Sequence, residues 1–129
     1  MCIFCEIING NIPSKKVYED DEVLAILDIS QATEGHTLVL PKKHVENILE
    51  VDKDTLASII EVVRVLSKKI VKNIGAEGCN VLNNCGEVSG QTVNHLHFHI
   101  IPRYKKDDLN IKFPTHELDL DEVLKKIDG

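Results

Sequence analysis

The sequence has no stretch approaching the roughly 20 consecutive apolar residues of a membrane-spanning helix. Its first residues, MCIFCEIINGN, lack the basic start and long apolar run of a secretion signal. Both absences lead us to expect a soluble, cytoplasmic protein. Basic charge is scarce too: 15 Lys and Arg against 21 Asp and Glu leave a net charge of -6. That balance argues against broad binding to a nucleic-acid polymer and leaves room for a small charged ligand. Glycine and proline are few, at 7 and 4, and there is no repeat or biased tract, which excludes low-complexity disorder. The four cysteines, with no secretion signal, are expected as reduced thiols or metal ligands rather than disulfides. With 129 residues, of which 43% are hydrophobic, the whole span 1–129 fits one domain with a packed core.

Periodicity then predicts the elements. Ile3, Phe4, Ile7 and Ile8 fall at helical spacing before Gly10 and Pro13, giving a short helix over 3–10. Residues 16–19 and 23–29 are β-prone runs joined by the acidic turn 19–22, and 36–40 is a third strand closed by Pro41. Leu56, Ile59, Ile60, Val63, Leu66, Ile70 and Ile74 recur every three or four residues between a cap at Asp52 and Gly75. They mark a long amphipathic helix whose Glu61, Arg64, Lys68, Lys69 and Lys72 form a wet face. A fourth strand is expected over 79–83, a glycine-containing loop over 84–90, a fifth strand over 93–101 ended by Pro102, and a terminal helix over 119–127. Consecutive strands linked by short turns favour an antiparallel α+β domain over repeated βαβ units.

Three of the six histidines, His95, His97 and His99, alternate with Leu96, Phe98 and Ile100. In a strand this period of two puts the imidazoles on one face and the apolar residues on the other. One metal ion cannot hold all three, because the outer pair are about 13 Å apart along a strand, whereas tetrahedral zinc wants ligand nitrogens about 3.4 Å apart. Two neighbouring histidines could still hold a catalytic zinc with further ligands, so a metallohydrolase stays open. Histidine as nucleophile or general base is the stronger alternative. The preceding loop adds Gly86, Gly90, Gln91 and Thr92, whose backbone and side-chain donors suit phosphate oxygens. Cys2-x-x-Cys5 is a weak signal by itself, compatible with redox exchange or metal binding.

The run Gly90-Gln-Thr-Val-Asn-His-Leu-His-Phe-His-Ile-Ile101 resembles the signature of the histidine triad (HIT) superfamily. The likeness extends back over Ile3-Phe-Cys-Glu-Ile-Ile, Asp28-Ile-Ser, Gly35-His36 and Pro41-Lys-Lys-His44, and so covers about residues 2–104. It is nearest to the Hint-like nucleoside phosphoramidases of the zinc-containing prokaryotic type. Gly-Gln-Thr-Val and the Pro-Arg after the triad also resemble the branch of dinucleoside polyphosphate hydrolases. The resemblance implies the HIT fold: an antiparallel sheet of about five strands with one long helix and short terminal helices, paired into a larger sheet in a homodimer.

It further implies a hydrolase in which His97 attacks the α-phosphate of a purine nucleotide conjugate, forming a nucleotidyl-histidine that water cleaves, with no catalytic metal. His99 and His36 would contact the phosphate, cationic imidazole would offset its charge, and Thr92 would lie near the leaving group. Asn84, Gly90, Gln91 and Val93 match the phosphate loop. Asp28 would accept from the ribose hydroxyls, and Ile3, Phe4, Ile7, Leu27 and Ile29 would enclose the base. Cys2, Cys5, His44 and His95 match the ligands of a structural zinc. Cys79 and Cys85 match no ligands, and His116 is expected at the surface. The charged tail 105–129 departs from the family pattern and lacks its tryptophan-containing ending, which leaves the leaving group open. Two alternatives remain, a nucleotide-sensing module without turnover and redox or zinc-catalysed chemistry at Cys2 and Cys5.

Overall fold

A computed structural model describes residues 2–105 and 108–129. The element order is α1 (Ile3–Ile8), β1 (Lys16–Glu19), β2 (Val23–Leu27), β3 (Thr37–Pro41), α2 (Lys53–Ile74), β4 (Gly78–Asn83), a 3-10 turn (Glu87–Ser89), β5 (Phe98–Arg103) and α3 (Leu120–Asp128). The five strands form one sheet in the order β1-β2-β3-β5-β4, and every neighbouring pair is antiparallel.

Local chemistry explains the boundaries. The β1–β2 hairpin closes because the Asp20 carboxylate accepts the backbone N–H groups of Glu22 and Val23, each at 2.7 Å. Asp52 caps α2 by accepting from the Thr55 N–H, and Gly75 ends it in the left-handed region at φ 78°. The apolar stripe of α2 buries Ile59, Val62, Val63 and Leu66, while Ile60 is left half-exposed and Val62 takes its place in the core. Among the described residues, no helix is long and apolar enough to cross a membrane.

Alternation along β2, β3 and the triad segment divides the core between the two faces of the sheet. Val23, Ala25, Val39, Leu96, Phe98 and Ile100 pack against α2. Leu24, Ile26, Leu38 and Leu40 face the other way, where Phe4 of α1 covers them. Burial on both sides is why β2 and β3 read as continuous apolar runs.

The fifth strand differs from the expectation at both ends. It starts at Phe98, because the Leu96 N–H before it goes to the Val45 carbonyl (2.8 Å) rather than to a ladder. It also runs through Pro102 to Arg103. Pairing with β3 stops at Ile100, so beyond it the β3 side lacks a strand and the absent N–H of Pro102 breaks no ladder there. The Pro102 carbonyl on that side accepts from Thr33 Oγ1 (2.6 Å). At the other terminus α3 is capped by Asp119, and its Leu120, Leu124 and Ile127 are exposed.

Candidate active site and metal centre

His95, His97 and His99 project to the α1 face of the sheet, while Leu96, Phe98 and Ile100 fill the α2 face. The Phe4 ring meets the His95 and His97 rings edge-on, with centroids 5.9 and 5.0 Å away. It thereby separates two groups of donors that meet along the segment 95–99.

The first group surrounds His97. Its Nδ1 lies 2.7 Å from the His95 carbonyl, an acceptor only, so the Nδ1–H donates and the neutral ring keeps its lone pair on Nε2. Asn83 Nδ2 donates to the His97 carbonyl at 2.9 Å and holds the backbone there. Sequence reasoning missed Asn83; the available signal was a polar side chain at the end of the strand adjoining the triad. His99 stacks obliquely on His97, with ring centroids 5.1 Å apart, and its Nδ1 is 2.8 Å from His36 Nε2. Asp28 gives one carboxylate oxygen to the Ser30 N–H (2.8 Å), a turn role, and its other oxygen stands 3.6 Å from His36 Nε2.

These groups border a cleft of about 310 Å³. Ile3, Phe4, Ile7, Leu27 and Ile29 form its apolar wall together with Ile26, Leu38 and Val93, and Asp28, Thr92, His97 and His99 supply the polar end. Phe4 is buried and serves the core as well, whereas Ile29 is fully exposed, an apolar side chain left in water at the cleft mouth. His36 is buried behind His99.

Asn84, Gly90 and Gln91 do not line the cleft. Gln91 corrects the expectation that its amide donates to phosphate: both N–H groups are used, toward the Glu46 (2.8 Å) and Val93 (3.0 Å) carbonyls, and its oxygen accepts the Gly86 N–H (2.8 Å). Gln91 shapes the loop. Gly90 is at φ 107°, and a Cβ there would stand 3.4 Å from Asn84 Nδ2.

Burial works against the expected cationic imidazole. It pushes His36 and His97 below the usual histidine range, against the pull of the Asp28 charge on both rings and of the His95 carbonyl on His97. Burial, followed by repulsion from His97 and His36, holds His99 down at about 4. Burial thus favours the neutral form of all three rings. Because His99 takes up a proton more readily unfolded, near 6.5, than folded, its contribution to stability is complete above pH 6.5 and is lost as the pH falls toward 4. We expect the denaturant midpoint to drop across that window. The drop should shrink in His99→Gln by on the order of 1–2 kcal/mol, solvent screening allowed for. Identical pH curves for the two proteins would contradict this account.

The second group is Cys2, Cys5, His44 and His95, whose donor atoms all lie within 4.8 Å of one another. His95 is fully buried and its Nε2–H donates to the Pro41 carbonyl (2.8 Å), which turns the Nδ1 lone pair toward the other three. His95 Nδ1 is 3.2 Å from His44 Nδ1, 3.4 Å from Cys2 Sγ and 3.6 Å from Cys5 Sγ, and Cys5 Sγ is 3.4 Å from His44 Nδ1. Tetrahedral zinc with bonds of about 2.1 Å to nitrogen and 2.3 Å to sulfur has ligand separations of about 3.4 to 3.6 Å on these edges. The donor set fits such an ion, and its four protein ligands leave no position for water. Cys79 and Cys85 are free and outside both groups, and His116 is exposed.

The architecture defines an α+β protein that carries a histidine triad beside a cleft and, behind it, a four-donor cluster whose geometry could hold a metal ion. The HIT domain family matches residues 9–106, and the chain belongs to that family. It is 54% identical to an uncharacterised HIT-like protein of Methanocaldococcus jannaschii over the full length of both. It is 40% identical to the adenosine 5'-monophosphoramidase of Schizosaccharomyces pombe, over 95% of this chain and 90% of that protein. Among solved structures, a HIT family protein from Bacillus subtilis superposes with a TM-score of 0.92 at 47% identity, covering 98% of this chain and 94% of the other. A zinc-bound histidine triad protein from Mycobacterium smegmatis reaches 0.81 at 33% identity, covering 98% and 95%.

Proposed function

We propose that the protein is a nucleotide hydrolase that cleaves the α-phosphate bond of adenosine phosphoramidates or related purine nucleotide conjugates through a nucleotidyl-His97 intermediate. The observation that carries this reading is the His97 ring, whose Nδ1–H is committed to the His95 carbonyl and whose Nε2 lone pair is thereby available beside the cleft. In the first step Nε2 forms a bond to the α-phosphorus as the bond to the leaving group breaks, and the leaving nitrogen departs as the amine, taking a proton from solvent. In the second, water attacks the same phosphorus and gives its proton back to solvent, the P–N bond breaks with its electron pair returning to Nε2, and AMP is released. Neutral donors, the His99 imidazole and the Thr92 hydroxyl, face the phosphoryl oxygens and the leaving group. Asp28 holds the ribose, and the apolar wall receives the base. The likeness to a protein named adenosine 5'-monophosphoramidase supports the substrate class.

Cys2, Cys5, His44 and His95 belong to this reading as the ligands of a structural zinc, which when bound supplies a cross-link and no reaction step. Two thiolate ligands suit the reducing cytoplasm. A homodimer is part of the same reading, supported by the open edge of β4, where Val81 and Leu82 are exposed.

The test is AMP release from adenosine 5'-phosphoramidate and from diadenosine polyphosphates in parallel reactions. AMP from the phosphoramidate is expected. Preference for the dinucleotide would move the protein to the polyphosphate hydrolases, and binding without turnover of either would make it a nucleotide-sensing module.

A further inference from the structure

The turn between β2 and β3 carries both Asp28 and His36. Its ends meet through the Asp28 N–H on the His36 carbonyl (3.0 Å), the His36 N–H reaches the Thr33 carbonyl (3.1 Å), and one side chain braces this backbone frame. Gln31 Nε2 donates to the Asp28 carbonyl (2.5 Å) and to the His36 carbonyl (2.8 Å). Its Oε1 accepts the N–H groups of Gly35 (2.8 Å) and His36 (3.1 Å). Both hydrogens and both lone pairs of the amide are used, in a residue that is itself exposed. The partner at Gly35 allows no other residue: its φ is 95°, and a Cβ there would stand 2.8 Å from Ile74 Cδ1 and 3.1 Å from Pro102 Cγ. The far side of the turn is fastened separately to the β5 end, by Thr33 Oγ1 on the Pro102 carbonyl and by the Tyr104 hydroxyl on the Glu34 carbonyl (2.7 Å). Gln31 is the side chain that ties the Asp28 end to the His36 end.

This tie reaches the histidines through one backbone group. The N–H of Ala32, the next residue, donates to His36 Nδ1 at 3.1 Å. A ring nitrogen that accepts carries no proton, so the neutral His36 ring is protonated on Nε2, which lies 2.8 Å from His99 Nδ1. His99 therefore accepts at Nδ1 and carries its own proton on Nε2.

We propose that Gln31 is a positioning residue for the His36–His99 pair. By closing the turn it places the Ala32 N–H on His36 Nδ1, and so sets the tautomer in which His99 offers an Nε2–H donor beside His97. The inference rests on the function proposed above only for what that donor meets, the phosphoryl oxygens in the transition state. Nothing in the sequence pattern marks Gln31, since a glutamine in a polar turn looks like ordinary solvated surface.

The test compares the full-length wild type with Gln31→Met, which keeps the length of the side chain and loses every hydrogen bond. A second variant, Gln31→Glu, keeps the two acceptor contacts and loses the two donors. Nitrogen-15 correlation spectra of the imidazoles at neutral pH should show His36 and His99 each in a single neutral tautomer protonated on Nε2 in the wild type. In Gln31→Met the His36 signals should move toward an average of the two tautomers, with Gln31→Glu between them. Steady-state kinetics with adenosine 5'-phosphoramidate should show kcat down about tenfold in Gln31→Met and KM raised by less.

Unchanged tautomers in a folded Gln31→Met protein would overturn the proposal. If the wild type turns over no nucleotide, the hydrolase reading fails alone, and the spectra still decide the positioning role. If both variants unfold, hydrogen exchange in the wild type decides instead. A protected amide at Gly35, whose N–H has Gln31 Oε1 as its partner, supports the clamp, and exchange there at the rate of an unstructured peptide overturns it.

Discussion

Replacing His97 with alanine is expected to reduce AMP formation by at least about 10³-fold while leaving the fold and the metal centre in place. The size follows from what the substitution removes. It deletes the one cleft imidazole whose tautomer is set by a main-chain carbonyl so that the free lone pair is on Nε2. His99 cannot substitute, because its Nδ1 is occupied by His36 and its Nε2 carries the proton. Neither can His95, whose Nε2 is bound to the Pro41 carbonyl and whose Nδ1 faces the cysteines. Structural loss should be modest. The ring is buried against Phe4, so truncation leaves a cavity costing about 1–3 kcal/mol, and the Leu96 and Phe98 neighbours that pack under α2 are untouched. The measurement has two parts. Wild type incubated with labelled adenosine 5'-phosphoramidate, then denatured and digested at alkaline pH where the P–N bond survives, should retain adenylate on a peptide containing residue 97, and the variant should retain none. Retention at another residue with turnover intact would refute His97 as nucleophile.

How much of this was legible beforehand depends on whether the cause is local. The bounds of β1 at residues 16 and 19 and both caps of α2 are written in neighbouring side chains, and the structure has them where the sequence does. The start of β5 is not, because extended alternation over 93–97 looks the same with or without a ladder partner. There the partner of Leu96 is the Val45 carbonyl, about fifty residues away. The triad face and the residues of the cleft wall follow from period-two spacing and the family resemblance. The protonation of the imidazoles does not, because burial beneath α1 is a tertiary fact that lowers His36, His97 and His99 together. Amide roles were the least legible. Gln91 and Gln31 look like polar loop residues, and only the folded chain shows that each spends its whole hydrogen-bonding capacity on the backbone.

Removal of the metal by a chelator, or Cys5→Ser, is expected to lower the melting temperature by at least about 10 °C, the largest stability effect of any change considered. The cause is the dependence of α1 on its cross-link. A helix of six residues does not hold itself in water, and α1 has only Phe4 fully buried. Besides the packing of Phe4, Ile7 and Ile8 on the sheet, what fastens it to the rest of the chain is the cluster in which Cys2 and Cys5 meet His44 and His95, two residues from His97. With no cation present, burial and the neighbouring Cys2 push the Cys5 thiol up, so a metal must displace a proton there to bind. Losing a few kcal/mol of metal-linked folding energy in a domain of this size corresponds to a shift of about 10 °C or more. Activity should then fall at the rate at which α1 detaches, because Ile3, Phe4 and Ile7 form one wall of the cleft. A catalytic ion would instead be lost with immediate inhibition and an intact fold. Metal analysis, circular dichroism and AMP release followed together after chelation separate the two. One zinc per chain with unfolding and inactivation in step is the expected result, and Cys79→Ser, outside the cluster, should match the wild type throughout.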